Sequence, residues 1–437
     1  MLLPRRKFLN LAATTTVSAV VASSLKNLTA RAVTGKSFTT KGFGSLVKDP
    51  QGILDLPPGF KYKVFSRQGE RMSDGNYVPG DHDGMAAFAG ENGNIILVRN
   101  HELSNEENPG AIAPAEKMYD PLCKGGTTTI ILDRELGLVK HYVSLGGTVR
   151  NCSGGATPWG SWLSCEEDVS IPANNQANNP KNVTRKHGYV FEVPAQGGIA
   201  EPVPLVSMGR FNHEAIVVDP QSNYIYQTED REDGSLYRFL PKEPSNLRSG
   251  GTLEALVIKG MPTLDTSVNF PIGMPKPVEW VKIEEVDPER DTLRKEAQNK
   301  GAAIFKRGEG MCHSNGEIYW TCTSGGKAGK GQIFRYNTSA NTVELFVESP
   351  GLEVLDYPDN VTITPFGHLM VCEDGWGEQF LVGINPKGEC YRFARNALNQ
   401  SELAGVCFAP DGKTMFVNIF KPGMTLAIWG PWDGVLG

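Results

Sequence analysis

The sequence predicts an all-β fold, a six-bladed propeller with its hairpin ends gathered at one mouth of a central channel. Three observations predict it. The 437 residues include 49 Gly and 29 Pro, as many short strands joined by tight turns require. One hairpin phrase recurs six times. Further strand-like runs lie between the copies and can serve as outer strands of four-stranded radial sheets.

The phrase has a polar or acidic head, a short strand, a turn, a return strand and an acidic or amide tail. Asp83 leads through Ala86-Ala87-Phe88 and Ile95-Ile96-Leu97-Val98 to Asn100-His101-Glu102. Cys152 leads through Thr157-Pro158-Trp159-Gly160 and Trp162-Leu163-Ser164 to Cys165-Glu166-Glu167. His213-Glu214 leads through Ala215-Ile216-Val217-Val218 and Tyr224-Ile225-Tyr226-Gln227 to Glu229-Asp230. Glu309 leads through Cys312 and Ile318-Tyr319-Trp320 to Thr321 and Thr323. Asp359-Asn360 leads through Val361-Thr362-Ile363 and His368-Leu369-Met370-Val371 to Glu373-Asp374. The last copy runs from Ala404-Gly405 through Val406-Cys407-Phe408 and Thr414-Met415-Phe416-Val417 to Asn418. Outer strands are expected around residues 128–132, 189–193, 236–239 and 332–335. Residues 241–300, Pro-rich and charged with a helix-like stretch near 289–300, read as a loop or lid across one face. A β-sandwich of similar strand count is the alternative.

This architecture has a chemical consequence. Heads and tails of inner hairpins lie at the same end of each sheet. Asp83, His101, Glu102, Cys152, Glu166, Glu167, Glu214, Glu229, Asp230, Glu309, Asp359, Glu373 and Asp374 would converge. Crowded, desolvated carboxylates repel one another, and bound cations relieve that cost. A carboxylate-rich set with little imidazole suits hard ions such as Ca²⁺, Mg²⁺ or Fe³⁺ better than a Cys- and His-rich zinc site.

Individual motifs carry competing readings. His101 can simply bond a neighbouring backbone carbonyl, leaving Glu102 the better ligand. Asn151-Cys152-Ser153-Gly154-Gly155 is either a tight turn with a buried thiol or a close backbone approach to a ligand, with a thiolate held ionised. On a strand Cys165 and Glu167 share one face and Ser164 and Glu166 the other, so one of the two acids would face solvent. Arg307-Gly308-Glu309-Gly310 is a surface ion pair or a phosphate-binding guanidinium beside a metal-binding carboxylate. The pairs Glu229-Asp230 and Glu373-Asp374 are solvated loop charges when read singly. Their shared place in the repeat makes them ligand candidates. The absence of a G-x-S-x-G elbow, a Walker loop, H-E-x-x-H and C-x-x-C disfavours serine hydrolases, P-loop NTPases and HExxH zinc proteases.

The N-terminus opens Arg5-Arg6-Lys7-Phe8-Leu9, continues through an uncharged run over residues 11–25, and reaches Ala30-Arg31-Ala32. This is the pattern of a cleaved signal peptide, and the paired arginines with a weakly apolar middle suit the twin-arginine route. A basic N-terminal arm is the other reading. Cleavage after residue 32 would leave one propeller domain, 33–437, in the periplasm or medium. Its formal charge would fall from −6 to about −11. An acidic domain without a basic stripe is a poor nucleic-acid binder, and no apolar run reaches the ~20 residues of a membrane span. The eight cysteines lie mostly in apolar strand patterns, so few or no disulfides are expected. A single propeller is expected to be a monomer.

Taken in chain order, these blocks resemble the PhoX-type alkaline phosphatases. The resemblance rests on Arg5-Arg6, Leu56-Pro57-Pro58-Gly59-Phe60, Arg99-Asn100-His101-Glu102 and Asn151-Cys152 through Thr157-Pro158-Trp159-Gly160. It continues in Cys165-Glu166-Glu167, Phe211-Asn212-His213-Glu214, Arg307-Gly308-Glu309-Gly310, Asp359-Asn360 and Glu373-Asp374. It implies a six-bladed propeller holding two ferric ions and several calcium ions. It implies Cys152, Glu214 and Glu309 as iron ligands, and Arg307 as the residue that binds the substrate phosphate beside Glu309. Calcium candidates are Glu167, Asp359, Glu373 and Asp374, with Glu102 a further metal candidate. The implied reaction is metal-assisted hydrolysis of phosphate monoesters, with diesters open, in the service of phosphate acquisition. The rivals are a calcium-dependent propeller lactonase and a non-enzymatic calcium-binding propeller.

Overall fold

The computed structural model describes residues 39–172 and 183–434, so the signal segment read at 1–32 lies outside the described residues. Two short strands come first, β1 (Leu54–Asp55) and β2 (Lys61–Arg67). Next follow β3 (His82–Ala89), β4 (Ile95–His101), β5 (Gly125–Leu132) and β6 (Leu138–Thr148), which form one antiparallel sheet. The strands β7 (Asn151–Ala156), β8 (Ser161–Glu166) and β9 (Val190–Pro194) form a second. The run β10 (His213–Val218), β11 (Ile225–Glu229), β12 (Leu236–Pro241), β13 (Gly251–Ile258) and β14 (Lys276–Lys282) is joined at its outer edge to the next run. That run is β15 (Gly308–Ser314), β16 (Glu317–Cys322), β17 (Gln332–Asn337) and β18 (Thr342–Glu348), and the join is the short β14–β18 pairing Lys276↔Val343 and Pro277↔Thr342. Finally β19 (Pro358–Ile363), β20 (Leu369–Glu373), β21 (Phe380–Ile384) and β22 (Cys390–Asn396) take β1 onto their edge. The strands β23 (Leu403–Phe408), β24 (Thr414–Ile419) and β25 (Met424–Trp429) take β2.

The first strands of these runs neighbour one another in the order β3, β7, β10, β15, β19, β23 and back to β3. The architecture is therefore all-β and propeller-like. Buried apolar clusters lie between consecutive runs. Trp320, Phe334 and Met311 meet Tyr226, Leu256 and Ala215, for example, and Phe416 and Cys407 meet Leu97 and Met85. Each sheet is thus covered on both faces by its neighbours, as sheet-on-sheet packing requires. All eight cysteines are free and buried, small apolar residues within these layers.

The hairpins share more than strand order. Every first strand carries an irregularity in its pairing at the same place: between His82 and Met85, Asn151 and Gly154, His213 and Ile216, Gly308 and Met311, Pro358 and Val361, and Ala404 and Cys407. A bulge there re-aims the side chain it contains. It also crowds the inner strands. A Cβ on Gly405 (φ 62°) would lie 2.3 Å from the Asp83 carbonyl oxygen, and one on Gly84 would lie 2.5 Å from Ser153 Cα. Gly405→Ala is therefore expected to destabilise the fold by about 2–4 kcal/mol in urea unfolding. A change below about 0.5 kcal/mol would show that the ring does not need this approach.

Residues 241–300 differ from the expected lid. Two stretches of this segment, β13 and β14, are the outer strands of the run that begins at β10. Its alternation of polar and apolar residues fits an edge strand that buries one side. The helix α1 (Leu293–Asn299) does form. Its Arg294 donates to Asp233 and Asp291 and lies 3.5 Å from Glu229, so the helix buttresses one side of the ring.

Candidate metal centre

Six backbone hydrogen bonds locate the site. In each hairpin the residue after the second strand donates its N–H to the carbonyl of the residue just before, or entering, the first. The pairs are Glu102 to Asp81, Glu167 to Arg150, Asp230 to Asn212, Thr323 to Arg307, Asp374 to Tyr357 and Phe420 to Glu402, all at 2.9–3.2 Å. Four of the acceptors have left-handed backbones: Asp81 (φ 42°), Arg150 (47°), Arg307 (50°) and Tyr357 (55°). Non-glycine residues hold this conformation at a cost that the surrounding structure must offset. Two residues further on stand Asp83, Cys152, Glu214, Glu309 and Asp359, inside the bulge, and Ala404 at its edge.

These bulge residues form the floor of a bowl. Asp83, Cys152, Glu214 and Glu309 are buried there and Asp359 half-buried, whereas Glu102, Arg150, Glu167, Arg307, Asp374 and Glu402 are half-buried around the rim. Ligand atoms of Cys152, Glu167 and Glu214 lie within 4.8 Å of one another. The same holds for Glu214, Glu309 and Asp359, and for Asp359, Asp374 and Glu402. Two guanidiniums stand among them. Arg150 pairs with Glu102 and Glu167. Arg307 donates Nε–H and Nη2–H to the two oxygens of Asp230 at 2.8 and 3.0 Å and a further Nη2–H to Glu309 at 2.6 Å.

Proton affinity shows what the bowl lacks. Burial first, and then the charges of Glu309 and Asp359, hold Glu214 well above the ordinary carboxylate range. Burial and Asp230 do the same for Glu309 despite Arg307. Asp359 is pushed up to about 7 by burial and Asp374, and Glu167 to about 8 by burial against the pull of Arg150. The Cys152 thiol is raised by burial and by Glu214, its Sγ 3.3 Å from the His213 carbonyl. Bound cations would relieve this crowding, and the hard oxygens with one sulfur fit multivalent ions.

Of the residues expected from sequence, Cys152, Glu214, Glu309, Glu167, Asp359, Asp374, Glu102 and Arg307 come together here. Glu373 does not. It accepts the Asp356 backbone N–H at 2.8 Å, and burial raises it to about 8. The reason is general to the tails: successive strand residues point to opposite sides, so only one acid of each pair reaches the bowl. Glu229 accepts from Tyr237 Oη at 2.8 Å while Asp230 meets Arg307. Glu166 does not face solvent either. It is buried against His187 Nδ1 at 2.7 Å while Glu167 meets Arg150. His101 likewise turns away, with Nδ1 2.7 Å from the Gly80 carbonyl oxygen. Glu373→Gln is accordingly expected to keep the metal content and to change kcat/KM by no more than about two-fold. Loss of metal in that variant would return Glu373 to the ligand set.

Arg150 and Glu402 escaped the sequence reading. Both stand two residues before a floor position, where Arg307 also stands, so aligning the hairpins on Arg307-x-Glu309 would have found them. In the last hairpin the floor residue is Ala404, and Glu402 supplies the acid from two residues earlier.

A propeller-like ring with a bowl of acids and two guanidiniums at one mouth has the geometry of a hydrolase that handles anionic substrates beside cations. The family model for alkaline phosphatase PhoX matches residues 41–141 and 136–423. The chain belongs to the PhoX alkaline phosphatase family and is a phosphoric ester hydrolase of that type. Among solved structures it is similar to Pseudomonas fluorescens PhoX in complex with vanadate, a transition-state analogue (TM-score 0.68, 19% identity, 91% of this chain and 98% of that one). A gluconolactonase from Xanthomonas campestris, XC5397, gives a TM-score of 0.43 at 10% identity, over 89% of this chain and 100% of that one. No curated protein sequence matches the chain. Among the described residues no helix is long and apolar enough to cross a membrane.

Proposed function

We propose that this protein is an exported, six-bladed phosphatase whose bowl holds ferric and calcium ions and hydrolyses phosphomonoesters, with diesters as a second substrate class. The observation that carries the reading is the floor: Cys152 and Glu214 on adjoining hairpins, with Glu309 and Asp359 next in the ring. Cys152, Glu214 and Glu309 would hold iron, the thiolate being the soft donor of the set. Asp359, Asp374, Glu402 and Glu167 would hold calcium, which favours carboxylate oxygens. Bound there, such ions supply Lewis acidity and charge neutralisation to a phosphoryl group.

The chain's own residues do the rest. With Nε and Nη2 held by Asp230 and Glu309, which pre-orient the side chain, Arg307 offers the two N–H groups of Nη1 to phosphate oxygens. The buried floor keeps bulk water from the reacting face, so each charge acts at low dielectric. The complex of the Pseudomonas protein with vanadate, a transition-state analogue, supports phosphoryl chemistry as the reaction. The paired arginines at 5 and 6 support export by the twin-arginine route, which carries chains already folded.

The test is elemental analysis of the purified, folded protein beside its hydrolysis of p-nitrophenyl phosphate. The expected result is iron and calcium together, with activity lost on chelation and in Cys152→Ala. Calcium without iron, and no phosphate release at full metal loading, would overturn the reading in favour of a lactonase or a binding propeller.

A further inference from the structure

A second constellation lies behind the rim, on the side of Glu166 that faces away from the bowl. Asp120 and Cys123 belong to the connection between β4 and β5, in a turn closed by the Cys123 N–H to the Asp120 carbonyl at 3.1 Å. His187 belongs to the segment that leads into β9. All three are buried, and their ligand atoms lie within 4.8 Å of one another. His187 Nε2 stands 3.5 Å from Asp120 Oδ2 and 3.6 Å from Cys123 Sγ.

Those separations allow weak hydrogen bonds from one ring N–H, and they also suit a shared ion. Donors about 2.0–2.3 Å from a tetrahedral zinc-class ion sit roughly 3.3–3.7 Å apart. The remaining features match as well. The other ring nitrogen of His187, Nδ1, is 2.7 Å from Glu166 Oε1, the carboxylate–imidazole contact that orients a metal-binding histidine. Glu166 is itself fixed by the N–H groups of Val149, Gly188 and Tyr189. Asp120 is fixed by those of Leu122, Thr184 and Arg185.

We infer that Asp120, Cys123 and His187 supply three donors of a buried site for a divalent transition ion of the zinc class, separate from the carboxylate bowl. One nitrogen, one sulfur and one oxygen make a borderline-soft donor set, unlike the oxygen-rich bowl. Binding replaces protons on His187 Nε2 and Cys123 Sγ, which leave to solvent as the ion enters. The ion ties the β4–β5 connection, which carries Glu102, to the segment beside Glu166. Glu166 in turn adjoins Glu167 on the rim. The site thereby braces two of the bowl's residues from behind.

Cobalt(II) is the probe, titrated into chelator-treated full-length protein and read by its thiolate charge-transfer absorption and by melting temperature. The Cys152→Ala protein, which has no thiol in the bowl, is expected to bind about one equivalent through the thiolate outside it. That band is lost when Cys123→Ala or Cys123→Ser is added to Cys152→Ala. Circular dichroism identifies whichever Cys123 variant folds. A thiolate band unchanged in the folded Cys123 variant, or one abolished by Cys152→Ala alone, would overturn the site. None of these readouts depends on phosphatase activity.

Discussion

Arg307→Ala is expected to lower kcat/KM for p-nitrophenyl phosphate by about 10²–10³-fold, the usual loss when one pre-oriented donor to a developing oxyanion is removed. Arg307 is held by two parallel hydrogen bonds to Asp230 and one to Glu309, on a left-handed backbone. Its position is thus set before substrate arrives. Nearby acids raise its proton affinity against the effect of burial, so it stays charged across the working range. Arg307→Lys is expected to recover little, because an ammonium cannot make the parallel bonds to Asp230 that place the charge while still reaching the phosphate. Metal content should persist in both variants. If iron and calcium fall in step with activity, Arg307 is a counter-ion of the bowl and not its phosphate clamp.

The second large effect is the response of the metal-free protein to pH. Burial and like charge raise Glu167 to about 8 and Asp359 to about 7, from ordinary values of 4.5 and 3.8. Between the ordinary and raised values the folded chain holds protons that the unfolded chain has released. Stability of the chelated protein must therefore fall as pH rises from about 5 to 8. A fall in melting temperature on the order of 5 °C is expected over that window. Calcium and iron should abolish most of it, because cations then hold the same carboxylates ionised. Glu229 and Glu373, also raised, to about 7 and 8, act equally with and without metal, so the difference between the two curves isolates the bowl. Identical curves would show that the bowl binds no stabilising ion.

Much of this was legible in the sequence. The hairpin phrase located all the first and second inner strands because alternation and turn residues are local signals, and the acids at their ends followed. What it could not show was direction. Glu373 and Asp374 are neighbours in sequence and face opposite sides of a sheet. Which of them serves the bowl depends on the bulge register of a strand, not on residue type. Glu166 was equally opaque, since its partner His187 arrives from a segment about twenty residues further along. The stretch at 241–300 misled for a related reason: edge strands tolerate the prolines and charges that usually mark loops.

The pairing of β2 with β25 joins Lys61 to Trp429, nearly the two ends of the described chain, and sets the order in which the molecule can be built. During synthesis the first strand of that sheet must wait, unpaired, for almost the whole polypeptide to emerge. Non-local closure of this kind is slow. The bowl draws ligands from hairpins all around the ring, so no nascent fragment can offer the full set of donors. On the proposed function, ion uptake is consequently a late event in maturation, and a loaded molecule would be one that has already completed its circle.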